Sequence, residues 1–290
     1  MRTIRVGSRD SRLAVIQAQL VMEAIRGAGW NAELVTMKTT GDRILDRTLE
    51  QIGGKGLFVK ELDAALLEGR VDVTVHSSKD LPMETDPRLP LAAFSRREDP
   101  RDVLVLPQGA AGLDPAKPIG CASQRRAIQL KALFPGMEVA PVRGNVLTRL
   151  RKLDEGQFSA LVLAAAGLRR LGLEERISRY FSTEELLPAA GQGILAAQVR
   201  AGADVSFLTA FHDRDAADCL AAERAFVRTL DGGCTAPVAA HAVLAGSRLT
   251  LRGLNVDGQG AYWIETITGP RSQAEALGRA LAEQMRRRAS

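Results

Sequence analysis

From its first residues to about position 199 the chain alternates short β-branched or apolar runs with stretches whose apolar residues recur at helical spacing. That alternation restricts the fold to open α/β sheets in which most strands are joined through helices. Residues 3–7 read as a strand. A helix over 11–26 follows, with Ser11 able to cap it, Leu13, Ile16 and Leu20 on one face, and Gly27 and Gly29 ending it. Residues 33–37 form a second strand. Residues 57–68 form a helix on Phe58, Leu62, Ala65 and Leu66, stopped by Gly69. Strands over 71–75 and 91–94 complete a first block. The charged run Ser95-Arg-Arg-Glu-Asp-Pro-Arg-Asp102 reads as an exposed crossover.

The second block repeats the logic. Strands start at 103–106 and Ile119, a helix spans 124–133 and stops at Pro135, and a strand covers 138–142. A helix over 146–153 and a strand over 160–165 follow. A further strand over 194–199 comes after the Gly191-Gln-Gly193 turn. From Ala216 the texture changes to a helix reaching about Leu230, three strand-like runs (238–244, 248–255, 262–268) and a closing helix. Ser272 and Glu275 have the spacing of a capping box at the start of that helix. This last part reads as a smaller α+β domain.

The chain's 290 residues, 46% of them hydrophobic, suit two or three domains with their own cores. No apolar run approaches the ~18–20 residues of a membrane span, and the N-terminal residues lack the apolar core of a signal peptide. The expectation is a cytoplasmic protein. Cys121, Cys219 and Cys234 are too few and too scattered for a disulfide framework or a zinc site. The net charge is only +5, but arginine outnumbers lysine 32 to 7. Several arginines fall at strand-to-helix junctions, where a planar guanidinium can grip a carboxylate or phosphate with two parallel hydrogen bonds.

The densest junction is Val71-Asp-Val-Thr-Val-His-Ser-Ser-Lys-Asp80, a strand that runs directly into an ionisable cluster. Ligands of open α/β sheets bind beyond the carboxyl ends of strands. Lys79 and Asp80 placed there can hold an anion and move a proton. Alone, Asp80 also reads as a helix cap, although Leu81-Pro82 follows it, and His76 reads as a buried, hydrogen-bonded strand end. Gly7-Ser-Arg-Asp-Ser11 opens a helix and is either a plain cap or an anion site. Gly53-Gly-Lys-Gly56 lacks the full phosphate-loop pattern; it reads as an ordinary loop or as one that carries Lys55 over a ligand. Ser123-Gln-Arg-Arg126, Arg143-Gly-Asn-Val-Leu-Thr-Arg149 and Gly167-Leu-Arg-Arg170 repeat the basic junction in the second block. Together with Arg9 they suit a ligand with several negative charges. Cys234, after Gly232 and Gly233 in a turn, is a candidate nucleophile or attachment point. Cys219 sits on an apolar helix face, and Cys121 fits either a core or a site.

In this order, Gly7-Ser-Arg-Asp-Ser11, Gly53-Gly-Lys-Gly-Leu-Phe-Val-Lys-Glu61, Val75-His-Ser-Ser-Lys-Asp80 and Arg97-Glu-Asp-Pro-Arg-Asp102 resemble the porphobilinogen deaminase (hydroxymethylbilane synthase) family. Arg143-Gly-Asn-Val146, Ala166-Gly-Leu-Arg-Arg-Leu-Gly172, Pro188-Ala-Ala-Gly-Gln-Gly193 and Gly232-Gly-Cys234 continue the resemblance over nearly the whole chain. It implies two similar α/β domains like periplasmic binding proteins, flanking a cleft, plus a small α+β C-terminal domain. The domains would be 1–95 with 194–212, 100–190, and 216–290. It also implies a dipyrromethane cofactor attached by a thioether to Cys234. Four porphobilinogen units would be joined head to tail with loss of ammonia, and hydrolysis would free hydroxymethylbilane.

Residue by residue, the resemblance makes Asp80 catalytic, stabilising positive charge on pyrrole nitrogens and assisting proton transfer. Lys79, Ser123, Arg125, Arg126, Arg149 and Arg170 become cofactor binders, and Arg9, Ser11, Lys55, Ser77 and Arg143 substrate binders. Porphobilinogen and its oligopyrrole intermediates would be the partners of a monomer that uses no metal. In Gly120-Cys-Ala-Ser-Gln-Arg-Arg126, Cys121 and Ala122 stand where the family usually has hydroxyl residues. Two other classes compete. A non-catalytic anion-binding or sensor protein of the same fold would need neither Cys234 nor Asp80. Nucleic-acid binding is suggested by the pI and Arg286-Arg-Arg288, but at 4% aromatic residues the chain is short of stacking platforms.

Overall fold

The computed structural model describes residues 2–39, 41, 59–232 and 236–289. The chain begins with β1 (Thr3–Arg9), which buries Ile4 and Val6, and α1 (Arg12–Gly27), which lays Ala18, Val21, Met22 and Ile25 on the same core. Ser11 caps α1, its hydroxyl accepting a hydrogen bond from Ala14 N at 3.4 Å. β2 (Asn31–Met37), α2 (Lys60–Leu67), β3 (Val73–Ser77) and β4 (Leu91–Phe94) follow. The first two residues of the helix expected over 57–68 lie outside the described residues. β3 begins two residues later than the valine run predicts. Asp72 is held at the other end of the sheet, where its carboxylate accepts from Arg5 N and from the Arg2 and Arg5 guanidiniums.

β5 (Asp102–Val105) opens the second block. β6 (Ile119–Gly120), α3 (Gln124–Leu133), β7 (Val139–Ala140), α4 (Val146–Asp154), β8 (Ala160–Ala164), α5 (Ala165–Arg170) and β9 (Arg179–Tyr180) follow. The strand expected over 138–142 pairs over only two residues, and α5 and β9 are not evident from the sequence pattern. The charged crossover also departs from expectation. Asp102 is fully buried at the start of β5, and the Asp99 side chain is nearly so, paired with Arg101. Burying these carboxylates is tolerable because each has guanidinium partners.

The chain returns through β10 (Leu195–Gln198) and α6 (Arg214–Thr229) to an antiparallel meander of β11 (Ala239–Ala245), β12 (Arg248–Val256) and β13 (Tyr262–Pro270), closed by α7 (Ala274–Ala289). Ser272 lies within a 3₁₀ turn, Arg271–Gln273, instead of immediately preceding the last helix, so the expected capping box is displaced.

Two compact units result: Met1–Glu98 with Ile194–Ala217, and Asp99–Gly193 with Asp218–Ser290. The sheet of the first has the order β2-β1-β3-β10-β4, and that of the second β7-β6-β8-β5-β9. In each, the first three strands are parallel, and the fourth runs antiparallel to its neighbour. The two α/β halves therefore share one topology. Within the second unit the meander packs against the segment that follows β9, with Leu187 in one cluster with Ala239 and Leu254. The fully buried Glu223 of α6 accepts from Gly191 N and Ala242 N, both at 2.7 Å. Helix α7 crosses α6 so closely that a Cβ on Gly278 would sit 2.3 Å from Ala222 O.

Candidate active site

In the first unit the register fixes which side chains meet. Gly7 of β1 pairs with Thr74 of β3, so Arg9 leaves its strand level with His76. The buried run from Val73 to His76 then breaks into a 3₁₀ turn, Ser78–Asp80, with Leu81 fully buried behind it and Ser78 N donating to Ile194 O at 2.9 Å. That turn leaves Lys79 half-buried and Asp80 exposed. No helix starts at Asp80, which removes the helix-cap reading. His76 is buried and shares a hydrogen bond with Thr74 Oγ1 at 2.9 Å. Burial, followed by the charge of Arg9, pushes its pKa down to about 4, so at neutral pH the ring is uncharged. Ser77 Oγ accepts from Gln17 Nε2 at 2.9 Å. Gln17 is a buried residue of α1 that sequence reasoning did not single out, although it lies on the core face of that helix. Ser11 and Ser77 each accept one bond in this way, and each hydroxyl keeps its O–H to donate.

Arg9, Ser11, Ser77, Lys79 and Asp80 thus gather at the carboxyl ends of two adjacent parallel strands. Lys55 and Cys234 lie outside the described residues. A concavity of about 520 Å³ at the opposite end of the same sheet is lined by Arg2, Trp30, Asp72, Arg200 and Phe207 among others. Its charged groups are engaged within the protein: Asp72 serves Arg2 and Arg5, Arg200 donates to Leu66 O and Val71 O, and Asp204 accepts from Ser206 N.

The second unit assembles its basic residues at the ends of three parallel strands. After β6, Ser123 stands at the N-cap of α3, but its side chain makes no capping bond. Cys121 Sγ accepts from Ser123 N at 3.4 Å and donates to Ser123 O at 3.2 Å. After β7, Gly144 adopts φ 111°, where a Cβ would meet Thr148, and Asn145 caps α4 by accepting from Thr148 N at 2.9 Å. The half-buried Arg149 donates to Gly144 O at 2.7 Å, and burial pushes the Arg143 guanidinium pKa down. After β8, Arg170 donates to Gly193 O at 2.7 Å.

Arg125 and Arg126 are the most buried of the set. Arg125 Nη1 donates to Asp102 Oδ2 at 2.8 Å and to Leu187 O at 2.7 Å. Arg126 reaches Asp102 Oδ1 from Nε and Nη2, at 3.0 and 2.6 Å, and Val162 O from Nη1 at 3.1 Å. Burial alone would raise the Asp102 carboxyl, but the charges and hydrogen bonds of both arginines hold it well below the usual carboxylate range. Sequence reasoning missed Asp102, because a carboxylate in so charged a run resembles solvated surface.

Among the described residues, no group of three or more His, Cys, Asp or Glu is placed to hold a metal ion, and no helix is long and apolar enough to cross a membrane. Two arginines of the C-terminal basic tail are engaged within the protein. Arg286 donates to Thr229 O and Asp231, while Arg288 pairs with Glu265 and lies over the Trp263 ring.

Residues 4–206 match the family described as porphobilinogen deaminase, dipyromethane cofactor binding domain, and residues 217–287 match the porphobilinogen deaminase C-terminal domain. The chain belongs to the porphobilinogen deaminase family. The family's porphobilinogen deaminase of Acetivibrio thermocellus is 58% identical over 284 residues, covering 97% of both chains. That of Alkaliphilus oremlandii is 60% identical over 285 residues, covering 98% of this chain and 96% of its own. Among solved structures, the methionine-binding protein MetQ overlays 74% of this chain and 92% of its own, at 13% identity and a TM-score of 0.47. The enzyme is accordingly a hydroxymethylbilane synthase of tetrapyrrole biosynthesis. It acts on porphobilinogen and carries a dipyrromethane cofactor-binding domain.

Proposed function

We propose that the strand-end cluster around Asp80 is the catalytic centre of this porphobilinogen deaminase, with the dipyrromethane held through a thioether on Cys234. The observation that carries this reading is the pairing of an exposed carboxylate, Asp80, with basic and hydroxyl groups at the same strand ends. The donor set fits a group rich in carboxylates. Among the described residues, two guanidiniums, Arg125 and Arg126, meet the single Asp102 carboxylate, and the buried Arg125 Nε has no hydrogen-bond partner. Lys79, Ser123, Arg125, Arg126, Arg149 and Arg170 would hold the cofactor's carboxylates, and Arg9, Ser11, Lys55, Ser77 and Arg143 those of porphobilinogen. When bound, the dipyrromethane supplies the covalent primer to which four porphobilinogen units are joined.

The chain's own residues do the rest. Guanidinium and hydroxyl groups orient the acetate and propionate arms of porphobilinogen. As ammonia leaves, positive charge grows on the pyrrole of the substrate, and the Asp80 carboxylate stabilises that charge and accepts or returns the pyrrole N–H proton. We further propose a monomer working in the cytoplasm.

The intact mass of the purified protein, against the sequence mass of 31.2 kDa, tests the proposal. An excess equal to two linked pyrroles is expected, mapping to the peptide that contains Cys234 and lost in Cys234→Ala. Bare protein that still forms hydroxymethylbilane would overturn it, as would an adduct on Cys121.

A further inference from the structure

We propose that Asp102 is a positioning residue for cofactor binding, the shared carboxylate that turns Arg125 and Arg126 toward one side of the α3 N-terminus. Successive residues of an α-helix point about 100° apart, so adjacent arginines ordinarily diverge. Here they converge: Arg125 takes Asp102 Oδ2, and Arg126 takes Oδ1 through two nitrogens. Gln192 Nε2 donates to the same Oδ1 at 2.9 Å and to Pro100 O at 2.7 Å. The carboxylate thereby receives four hydrogen bonds, about its full capacity. A saturated, fully buried carboxylate that stays ionised is badly placed to exchange protons, so its work is done through the arginines.

The surroundings lock the arrangement. Leu187 N donates to Gln129 Oε1 at 2.8 Å, while Leu187 O accepts from Arg125 Nη1 at 2.7 Å and from Gln129 Nε2 at 3.3 Å. Gln129 Nε2 also donates to the Arg125 carbonyl at 3.0 Å, so the guanidinium is fixed to its own helix as well as to β5. The residue preceding Gln192 closes the circuit, because Gly191 N donates to Glu223 of α6. Among the described residues, two guanidiniums share one carboxylate, so the trio Asp102, Arg125 and Arg126 carries a net charge of one that is held rigidly. That is the preorganised counterpart of one ligand carboxylate. This inference rests on the cofactor-binding roles proposed above for Arg125 and Arg126.

Asp102→Asn keeps the shape but turns an N–H₂ toward groups that are all donors, and it raises the buried charge from one to two. The expected result is at least a tenfold lower fraction of protein carrying the two-pyrrole adduct, read from intact mass, with an unchanged far-UV circular dichroism spectrum. In the fraction that is loaded, KM for porphobilinogen should rise more than kcat falls. Val105→Ala, a cavity in the same strand, serves as the control: it should lower Tm and leave adduct occupancy at the wild-type level. If Asp102→Asn matches that control, losing Tm while keeping occupancy and KM, Asp102 is only a structural strut and the inference fails. If Asp102→Asn does not fold, the comparison moves to Arg126→Met. Positioning of Arg125 predicts that Asp102→Asn/Arg126→Met is emptier than Arg126→Met alone, and equal occupancy would overturn it. A wild-type protein with no adduct would instead refute the cofactor assignment itself.

Discussion

Asp80 and Asp102 are both aspartates at strand ends, and their surroundings give them opposite tasks. Asp102 is buried and saturated by four donor nitrogens, whereas Asp80 is the exposed last residue of a 3₁₀ turn whose position is fixed by the buried Ser78 and Leu81 and by the bond from Ser78 N to Ile194 O. An exposed carboxylate can change its hydrogen bonding during a reaction without disturbing a core. Asp80→Asn should therefore lower the rate of bilane formation by ~10²–10⁴, the usual value of a positioned acid–base group. Tm and the two-pyrrole mass excess over the bare protein should stay the same. A steady-state rate near wild type would take the reaction away from Asp80. His76, four residues upstream, is the contrasting case. Its burial and its bond to Thr74 make it part of the strand, as its lack of any partner motif suggests.

At the scale of elements, periodicity made most of the fold legible. The helix over 124–133 and the strand over 91–94 have the limits that the apolar spacing assigns, and Ser11 caps where a serine before an apolar run should. Failures occurred where long-range partners override local pattern. Val71 is β-branched, yet Asp72 is claimed by Arg5, so pairing starts at Val73. Residues 138–142 look like a full strand, but only Val139 and Ala140 find neighbours. The candidate site was legible as a set of junctions, whereas its internal wiring was not. Nothing local to Arg125 announces a carboxylate 23 residues earlier in the chain. Helix packing gives a further case in which tertiary contact beats propensity. In isolation Gly278→Ala would gain up to ~1 kcal/mol of helix propensity. In α7, the new Cβ would meet Ala222 O at 2.3 Å and Ala225 Cβ at 2.8 Å, contacts from backbone and core that cannot swing aside. Gly278→Ala should destabilise the protein by ~1–3 kcal/mol through overpacking. Gly27→Ala, at the open end of α1 with nothing within 4 Å, should be neutral or mildly stabilising. Urea midpoints that ranked the two variants the other way round would contradict the close α6–α7 crossing.

For the whole molecule, the buried ionisable groups decide how stability follows pH. The His76 ring, with its pKa pushed down to about 4, is neutral in the fold but protonates near 6.5 in the unfolded chain. Its contribution is fully present above 6.5 and is lost as pH falls toward 4, amounting to about 2 kcal/mol between pH 7 and 5. Asp63 acts in the opposite sense. Burial, with Asp86 nearby, raises its pKa to about 6, so the fold favours its protonated form and gains stability as pH falls through 6. Asp63 is only half-buried, and solvent screening makes its effect the smaller of the two. The carboxyls of Asp72, Asp99 and Asp102 have pKa values lowered against the cost of burial by their arginines, so they stabilise the fold above the ordinary carboxylate range and withdraw that support only in stronger acid. Stability should consequently fall in two separate stages, one between pH 6.5 and 4 and one below pH 4. His76→Gln, which can keep the bond to Thr74 without titrating, should erase the first stage and leave the second. Urea midpoints at pH 7, 5 and 3.5 for both proteins measure this. An identical loss between pH 7 and 5 in wild type and variant would show that the neutral ring is not what the fold requires.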